Sequence, residues 1–365
     1  MSWLAAIWAH PPLHLLGRRR WHFLCSLSLV HDIIWVFATV SYVLNDGPRG
    51  VLPATRERVQ KVIDEFGYKP NASARSLRGV KTATFGVVFP HEGIEPFENE
   101  YFAEVLHGIL GVASERKQVL MLFTGMSWDE VEQNVPTFCD GRCDGFLFLA
   151  PPANSRFLVD LTNRNKNVVL LGTRAWGVPV STVDADNVQG GKIATRHLIE
   201  LGHRRIGMIT TDETSTSSPE RLAGFRQQMA LSGIEVDESL IEPANYNRTI
   251  AEAAARKLLA KRLEKGLTAV FCAHDSIAEA VVRVASELGI RVPNELSVIG
   301  FDDLPYTSKL DPPLTTIHHP LRLIGATAAL KLLDLIEEPS LEPRERLFDV
   351  HLVERATTCA PMQKT

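Results

Sequence analysis

TAVFCAHDSIAEAVVRVASELGIRVPNELSVIGF, Thr268 to Phe301, contains one complete repeat of the pattern on which the chain is built. It opens on TAVFCA, a short run apolar on both faces. A helical period follows from Asp275 to Leu288, stops at Gly289, and gives way to a second apolar run, LSVIGF, from Leu296. A strand apolar on both faces must be covered on both sides, and two such strands joined through a crossover helix run parallel.

The same alternation extends in both directions. Strands are expected in FGVVF from Phe85, VLMLF from Val119, GFLFLA from Gly145, VVLLG from Val168 and RIGMI from Arg205. Helical periods lie near Glu100–Ser114, Ser155–Arg164, Asn187–Leu201, Arg221–Ser232, Ile250–Leu263 and Leu321–Ile336. Gly202, Gly233 and Gly289 stand where a glycine just beyond a helix end is expected. The fold class is α/β. The core lengths on either side of Asp186-Asn187 are comparable, which predicts two doubly wound halves.

With 365 residues, 45% of them hydrophobic and 22% charged, the chain can bury a large core in two or three domains and reads as soluble. Its five cysteines are odd in number and scattered, which argues against a disulfide framework and for a reducing, cytoplasmic setting. Cys139 and Cys143 lack a second ligand pair at zinc spacing. His318 and His319 are adjacent, so in an extended segment they face opposite ways and make a poor metal pair. No phosphate-binding loop, dinucleotide glycine fingerprint, HExxH or nucleophile elbow is found, so neither catalysis nor a cofactor is expected. The net charge of −4 conceals a basic segment: from Arg49 to Lys81 eight Lys/Arg face three Asp/Glu, leaving −9 for the rest. That asymmetry suits a nucleic-acid contact confined to one small part of the chain.

Within the basic segment lies YKPNASARSLR, Tyr68 to Arg78. Pro70 pushes Lys69 out of the helical region, and Asn71 is a good cap for a short helix to Arg78. Such a helix is too short to stand alone, because isolated helices below about 12 residues are marginal in water. Arg75 and Arg78 suit a polyanion, and Leu77 suits insertion between base pairs in a minor groove. An ordinary interdomain linker is the plain alternative.

The longer run PATRERVQKVIDEFGYKPNASARSLRG closely resembles the third helix and hinge helix of LacI/GalR-family bacterial transcription regulators. The resemblance continues through DNVQGGKIATRHLIELGHRRIGMI, RLAGFRQQM, VPNELSVIGFDD and PPLTTIHHP, and covers about Ala38 to Ala360 in the family's order. It implies two doubly wound, periplasmic-binding-protein-like subdomains preceded by a small all-α helix-turn-helix headpiece and a hinge helix at 71–78. The implied boundaries are a headpiece at 38–80 and a core at 82–360. The core divides into an N-subdomain of about 82–184 plus 316–338 and a C-subdomain of about 186–313 plus 344–360.

Residues 1–37 do not fit. ATVSYVLN, Ala38 to Asn45, resembles the recognition helix, but upstream CSLSLVHDIIWVF carries neither a Gly turn nor the pattern of a first helix. Three readings are open: an apolar anchor over Trp21–Leu44, a degenerate but working headpiece, and a displaced start that leaves the headpiece without its first helix. The third is preferred, because Asp32 would sit mid-span and the end of the apolar run belongs to the recognition phrase. At Leu52 the family usually has Ser, so the third helix keeps Pro53 at its first position and loses its cap.

The resemblance also implies site residues. Thr39, Ser41, Tyr42, Asn45, Tyr68, Asn71, Arg75, Leu77 and Arg78 fall at DNA-contact positions. Tyr101, Phe102, Arg221, Tyr246, Asp275 and Asp302 fall at effector-contact positions. Aromatic faces can stack on a sugar or base ring, Arg221 offers a rigid fork, and the aspartates accept hydroxyl hydrogens. Asp275 could instead cap its helix, and Tyr101 with Phe102 could be core. The implied partners are a pseudo-palindromic double-stranded operator, a small effector of the sugar class and a second copy of the chain. No metal and no membrane are expected. The competing function is a sugar-binding protein without DNA activity.

Overall fold

The computed structural model describes residues 39–40, 42–43, 51–66, 81–90, 99–164, 166–174, 177–211, 215–245 and 247–362. Residues 1–37, Ser41, Asn45, Tyr68, Asn71, Arg75, Leu77, Arg78 and Tyr246 lie outside them. The chain divides into two units, Met1–Asn71 and Ala72–Thr365.

In the first unit Thr39 and Tyr42 are helical, and Val43 is buried. Helix α1 (Pro53–Glu65) starts on Pro53 with Leu52 at its cap position and no capping side chain, as its sequence predicts. None of its residues is buried within the unit.

The second unit has two lobes. In the first, a six-stranded sheet carries β1 (Thr84–Pro90), β2 (Val119–Met126), β3 (Gly145–Leu149), β4 (Asn167–Leu171), β5 (Ser181–Ala185) and β11 (Glu345–Phe348), in the order β11-β5-β4-β3-β1-β2. Every pair is parallel. One face is covered by α2 (Glu100–Glu115) and α10 (Leu321–Glu337) through Val105, Ile109, Ala328 and Leu332. The other is covered by α3 (Trp128–Gln133), the 3-10 turn Val135–Cys139 and α4 (Phe157–Asn163), where Phe138, Phe146, Phe148 and Phe157 form an aromatic cluster. Glycine allows α2 and α10 to touch backbone to backbone: a Cβ on Gly325 would lie 2.1 Å from the Val105 carbonyl oxygen.

The second lobe has a four-stranded parallel sheet, β7-β6-β8-β9, made of β6 (Ile206–Thr211), β7 (Ile241–Ala244), β8 (Ala269–Cys272) and β9 (Ser297–Ile299). Helices α5 (Asn187–Glu200) and α6 (Ser217–Leu231) cover one face. Helices α7 (Arg248–Ala260) and α9 (Asp275–Glu287) cover the other, with α8 (Arg262–Lys265) following α7. Gly202, Gly233 and Gly289 all take positive φ at helix ends, as expected.

Three segments pass between the lobes: Asp186 leads from β5 into α5, β10 (Thr316–His318) leads from β9 towards α10, and β12 (His351–Val353) follows β11. Strands β10 and β12 pair antiparallel, and Asp302 bridges to His318. One expected boundary shifts. Glu345–Phe348 was assigned to the second lobe, but it pairs with β5 as the edge of the first sheet, so the last passage falls near Val350. The helix expected to open at Arg221 opens at Ser217. The helix expected as Ile250–Leu263 is divided at Lys261.

Candidate effector cleft

Two phrases, DNVQGG and RLAGF, build the candidate site, whose polar residues are buried where the lobes meet. The Asp186 carboxylate accepts from the Gln189 N–H at 2.8 Å and caps α5. Helix α5 then crosses α6 in backbone contact. A Cβ on Gly191 would stand 2.2 Å from the Arg221 carbonyl oxygen, and one on Gly224 2.1 Å from that of Val188. Without side chains at the crossing, α6 can sit close enough for Arg221 to reach the carboxyl ends of both β8 and β9.

Arg221 is only 1% exposed. Its Nε donates to Asn187 Oδ1 at 2.9 Å, one terminal nitrogen to the Ala273 carbonyl at 2.5 Å, and the other lies 3.5 Å from Asp302 Oδ1. The guanidinium carbon sits 3.5 Å above the Phe301 ring centroid, a desolvated cation–π contact. Asp302 is held from three sides: His274 Nδ1 is 3.1 Å from Oδ2, and His319 Nδ1 is 3.1 Å from Oδ1 beside Arg221. Burial alone would raise the Asp302 pKa. The charge of Arg221 and the contact with His274 outweigh it and hold the carboxyl well below the usual range. Asp302 also takes φ +120° and Asp303 φ +56°, a strained pair of the kind that collects at ligand sites.

The constellation extends into the first lobe. Asn187 Nδ2 donates to Asp184 Oδ2 at 3.1 Å, and His319 Nε2 lies 3.8 Å from Asp184 Oδ1 with no hydrogen-bond partner although it is buried. Burial raises the Asp184 pKa. The Tyr101 ring stands 5.9 Å from the His319 ring, and its hydroxyl lies against Gly172 at the end of β4. At the lip, the Arg174 N–H donates to Thr216 Oγ1 at 3.0 Å, and the Arg174 side chain lies 3.4 Å from Glu220 and 2.7 Å from Glu345.

The expected effector residues therefore separate. Tyr101, which also packs on the core, and Asp302 meet at His319, and Arg221 shares Asp302 Oδ1 with it. Phe102 makes edge contacts with Phe89 and Tyr101 and packs on the core. Asp275 is fully buried, with Oδ1 accepting from Thr316 Oγ1 at 2.6 Å and Oδ2 from the Leu304 N–H at 2.9 Å. It does not cap its helix, since the cap position is His274. Asp275 ties β9, β10 and α9 together. Asp184, Asn187 and His319 are not singled out for the cleft by the sequence, and His274 stands out only as a departure from the Asn that is frequent at its place in the family.

Residues 37–71 match the profile described as bacterial regulatory proteins, lacI family, and residues 195–358 that of a periplasmic binding protein-like domain. The HTH-type transcriptional regulator CelR of Thermobifida fusca is 35% identical over 320 residues, covering 87% of this chain and 93% of CelR. This chain belongs to the LacI family. Among other family members, the HTH-type transcriptional repressor PurR of Vibrio atlanticus is 32% identical, covering 87% of this chain and 94% of its own. The solved complex of CelR with cellobiose superimposes with a TM-score of 0.71 at 33% identity, covering 88% of this chain and 95% of that one. A lac repressor dimer bound to operator and anti-inducer gives 0.71 at 25% identity, with 89% and 96% covered. These relatives are transcription regulators rather than enzymes, so the chain is a LacI-family, DNA-binding regulator with an effector-binding core. Among the described residues no helix is long and apolar enough to cross a membrane.

Proposed function

We propose that this LacI-family chain is a repressor whose operator affinity is set by a sugar-class effector held between the lobes, with Arg221 and Asp302 binding hydroxyls and Tyr101 stacking on the ring. The observation that carries this reading is the buried row Asp184–Asn187–Arg221–Asp302–His319. A preorganised set of donors and acceptors at the carboxyl ends of parallel strands, beside an aromatic face, suits a ring rich in hydroxyls. The CelR–cellobiose complex makes a β-linked disaccharide the first ligand to try. In this reading two copies of the chain read a pseudo-palindromic site, and the hinge residues Arg75, Leu77 and Arg78 complete the DNA contact.

Calorimetric titration with cellobiose, other disaccharides, monosaccharides and purines tests the cleft. One saturable site per chain, lost in Arg221→Ala, supports the reading; an affinity unchanged by that substitution refutes the site. Gel shifts on palindromic operators at two salt concentrations test the regulator half. Specific binding should fall steeply with salt, in proportion to the phosphate contacts made, and should respond to the sugar found. Binding that ignores the sugar would leave only a sensor.

A further inference from the structure

Strands β10 and β12 are two of the three connections between the lobes, and their register places His318 opposite His351. The two imidazoles lie side by side, with ring centroids 4.7 Å apart and planes tilted by 35°. They are open to solvent, His351 being exposed and the His318 side chain 37% exposed. His318 is also oriented from behind, since its Nδ1 lies 2.9 Å from Asp303 Oδ2. Asp303 in turn accepts from Arg355 at 2.5 Å, and Arg355 is fixed by Thr307 Oγ1 and the Leu314 carbonyl.

A carboxylate that accepts a hydrogen bond from Nδ1–H leaves the lone pair of Nε2 free. This carboxylate–histidine arrangement is the one that orients metal-bound imidazoles in proteins. The partner ring is already in reach: two nitrogens each about 2.0–2.1 Å from one zinc ion stand roughly 3.4 Å apart at a tetrahedral angle. We propose that His318 and His351 form a two-imidazole site for a borderline divalent cation, Zn2+, Ni2+ or Cu2+, with Asp303 as the positioning residue behind His318.

Among the described residues no group of three or more His, Cys, Asp or Glu side chains is arranged to hold a metal ion, so water completes the coordination and the affinity is moderate. Imidazole donors exclude Mg2+ and Ca2+, which take oxygen ligands. His319, adjacent in sequence, points to the opposite side and is committed to Asp302, so it plays no part. An ion bridging β10 and β12 would tie together two of the strands that pass between the lobes.

Calorimetric titration of the full chain with ZnCl2 in a non-chelating buffer tests the site. His351→Gln should bind one equivalent fewer than the parent, because histidines elsewhere in the chain are common to both proteins. Asp303→Asn should keep that equivalent with an affinity about 10- to 100-fold weaker. In a second readout, saturating Zn2+ should raise the melting temperature of the parent more than that of His351→Gln, because a ligand bound only by the folded state stabilises it. His351 is exposed, so the variant should melt at the parent temperature without metal. The site is refuted if His351→Gln binds as many ions as the parent with the same affinity, or if Mg2+ at equal concentration displaces the zinc.

Discussion

Replacing Arg221 by Met keeps much of the apolar stem and removes the charge from the middle of the cleft. Four partners are then left behind: the Asn187 Oδ1 at 2.9 Å, the Ala273 carbonyl at 2.5 Å, the His274 Nδ1 at 3.2 Å, and Asp302, which keeps only His274 and His319. Breaking one member of a buried ion pair costs about 3–5 kcal/mol, because the remaining charge stays buried without compensation. Met remains in contact with Phe301, so only the cation–π part of that contact is lost. A deficit of about 3–5 kcal/mol at neutral pH follows, read by urea unfolding with the fitted slope unchanged. The double variant with Asp302→Asn should recover part of it, since the two groups share one network.

The pH dependence follows from the direction of the Asp302 shift. In the parent its folded pKa is depressed, so its contribution is present above the unfolded pKa and declines as pH falls towards the folded one. In Arg221→Met the counter-charge is gone and burial prevails, so the folded pKa rises. The charged carboxylate then penalises the variant at neutral pH, and protonation relieves it on acidification. Relief of the variant narrows the gap between the two proteins from neutrality down to pH ~4, the unfolded carboxylate value, and loss of the parent's contribution narrows it further only below that pH. A deficit under about 1 kcal/mol at neutral pH, or one that stays constant on acidification, would refute the view that Asp302 is held ionised by Arg221.

Two other substitutions test how the elements are placed. Gly224→Ala drives a methyl to 2.1 Å from the Val188 carbonyl oxygen. The helix-propensity gain of about 0.5–1 kcal/mol should be outweighed by an overpacking cost of about 1–3 kcal/mol, seen as a lower melting temperature and weaker effector binding. Leu52→Ser supplies the missing cap of α1 and should stabilise that helix by about 1 kcal/mol, seen as slower amide exchange in its first turn.

The α/β class was legible because the central strands are runs such as Phe85–Phe89 and Val168–Leu171, buried on both faces, with glycines marking helix ends. The missed strands lacked that signal. Ser181–Ala185 carries Ser, Thr and Asp, whose polar groups are satisfied locally: the Ser181 hydroxyl accepts from the Arg344 N–H, and Asp184 Oδ1 accepts from the Ala185 N–H at 2.8 Å. Ile241–Ala244 contains Pro243, tolerated because the strand is at an edge. Its Glu242 is buried 2.7 Å from Lys257 and 2.5 Å from Lys261, partners that only the folded chain brings together. In the cleft, Arg221 and Asp302 were legible from their phrases. The sequence presents His319 beside His318 only as a poor metal pair, although the alternation that separates the two already sends it to the other face. Five polar residues in STVDADN, against a single Asn in β4 and none in β3, were the available sign of Asp184 and Asn187.

The cleft network also constrains how an effector can act at a distance. A ligand shifts a conformational equilibrium only by its difference in affinity for the two states, and couplings of about 1–3 kcal/mol are usual. Asn187 accepts from Arg221 through Oδ1, while its Nδ2 lies 3.1 Å from Asp184 and 3.5 Å from Glu220. Glu220 belongs to the second lobe and lies 3.4 Å from Arg174 of the first, and burial raises its pKa against the pull of that cation. A hydroxyl that displaces one bond of Arg221 therefore alters the partners of Asn187, and through them the only partly screened pair that joins the lips. No long relay is required, because Arg221 and the lip ion pair share a single buried amide.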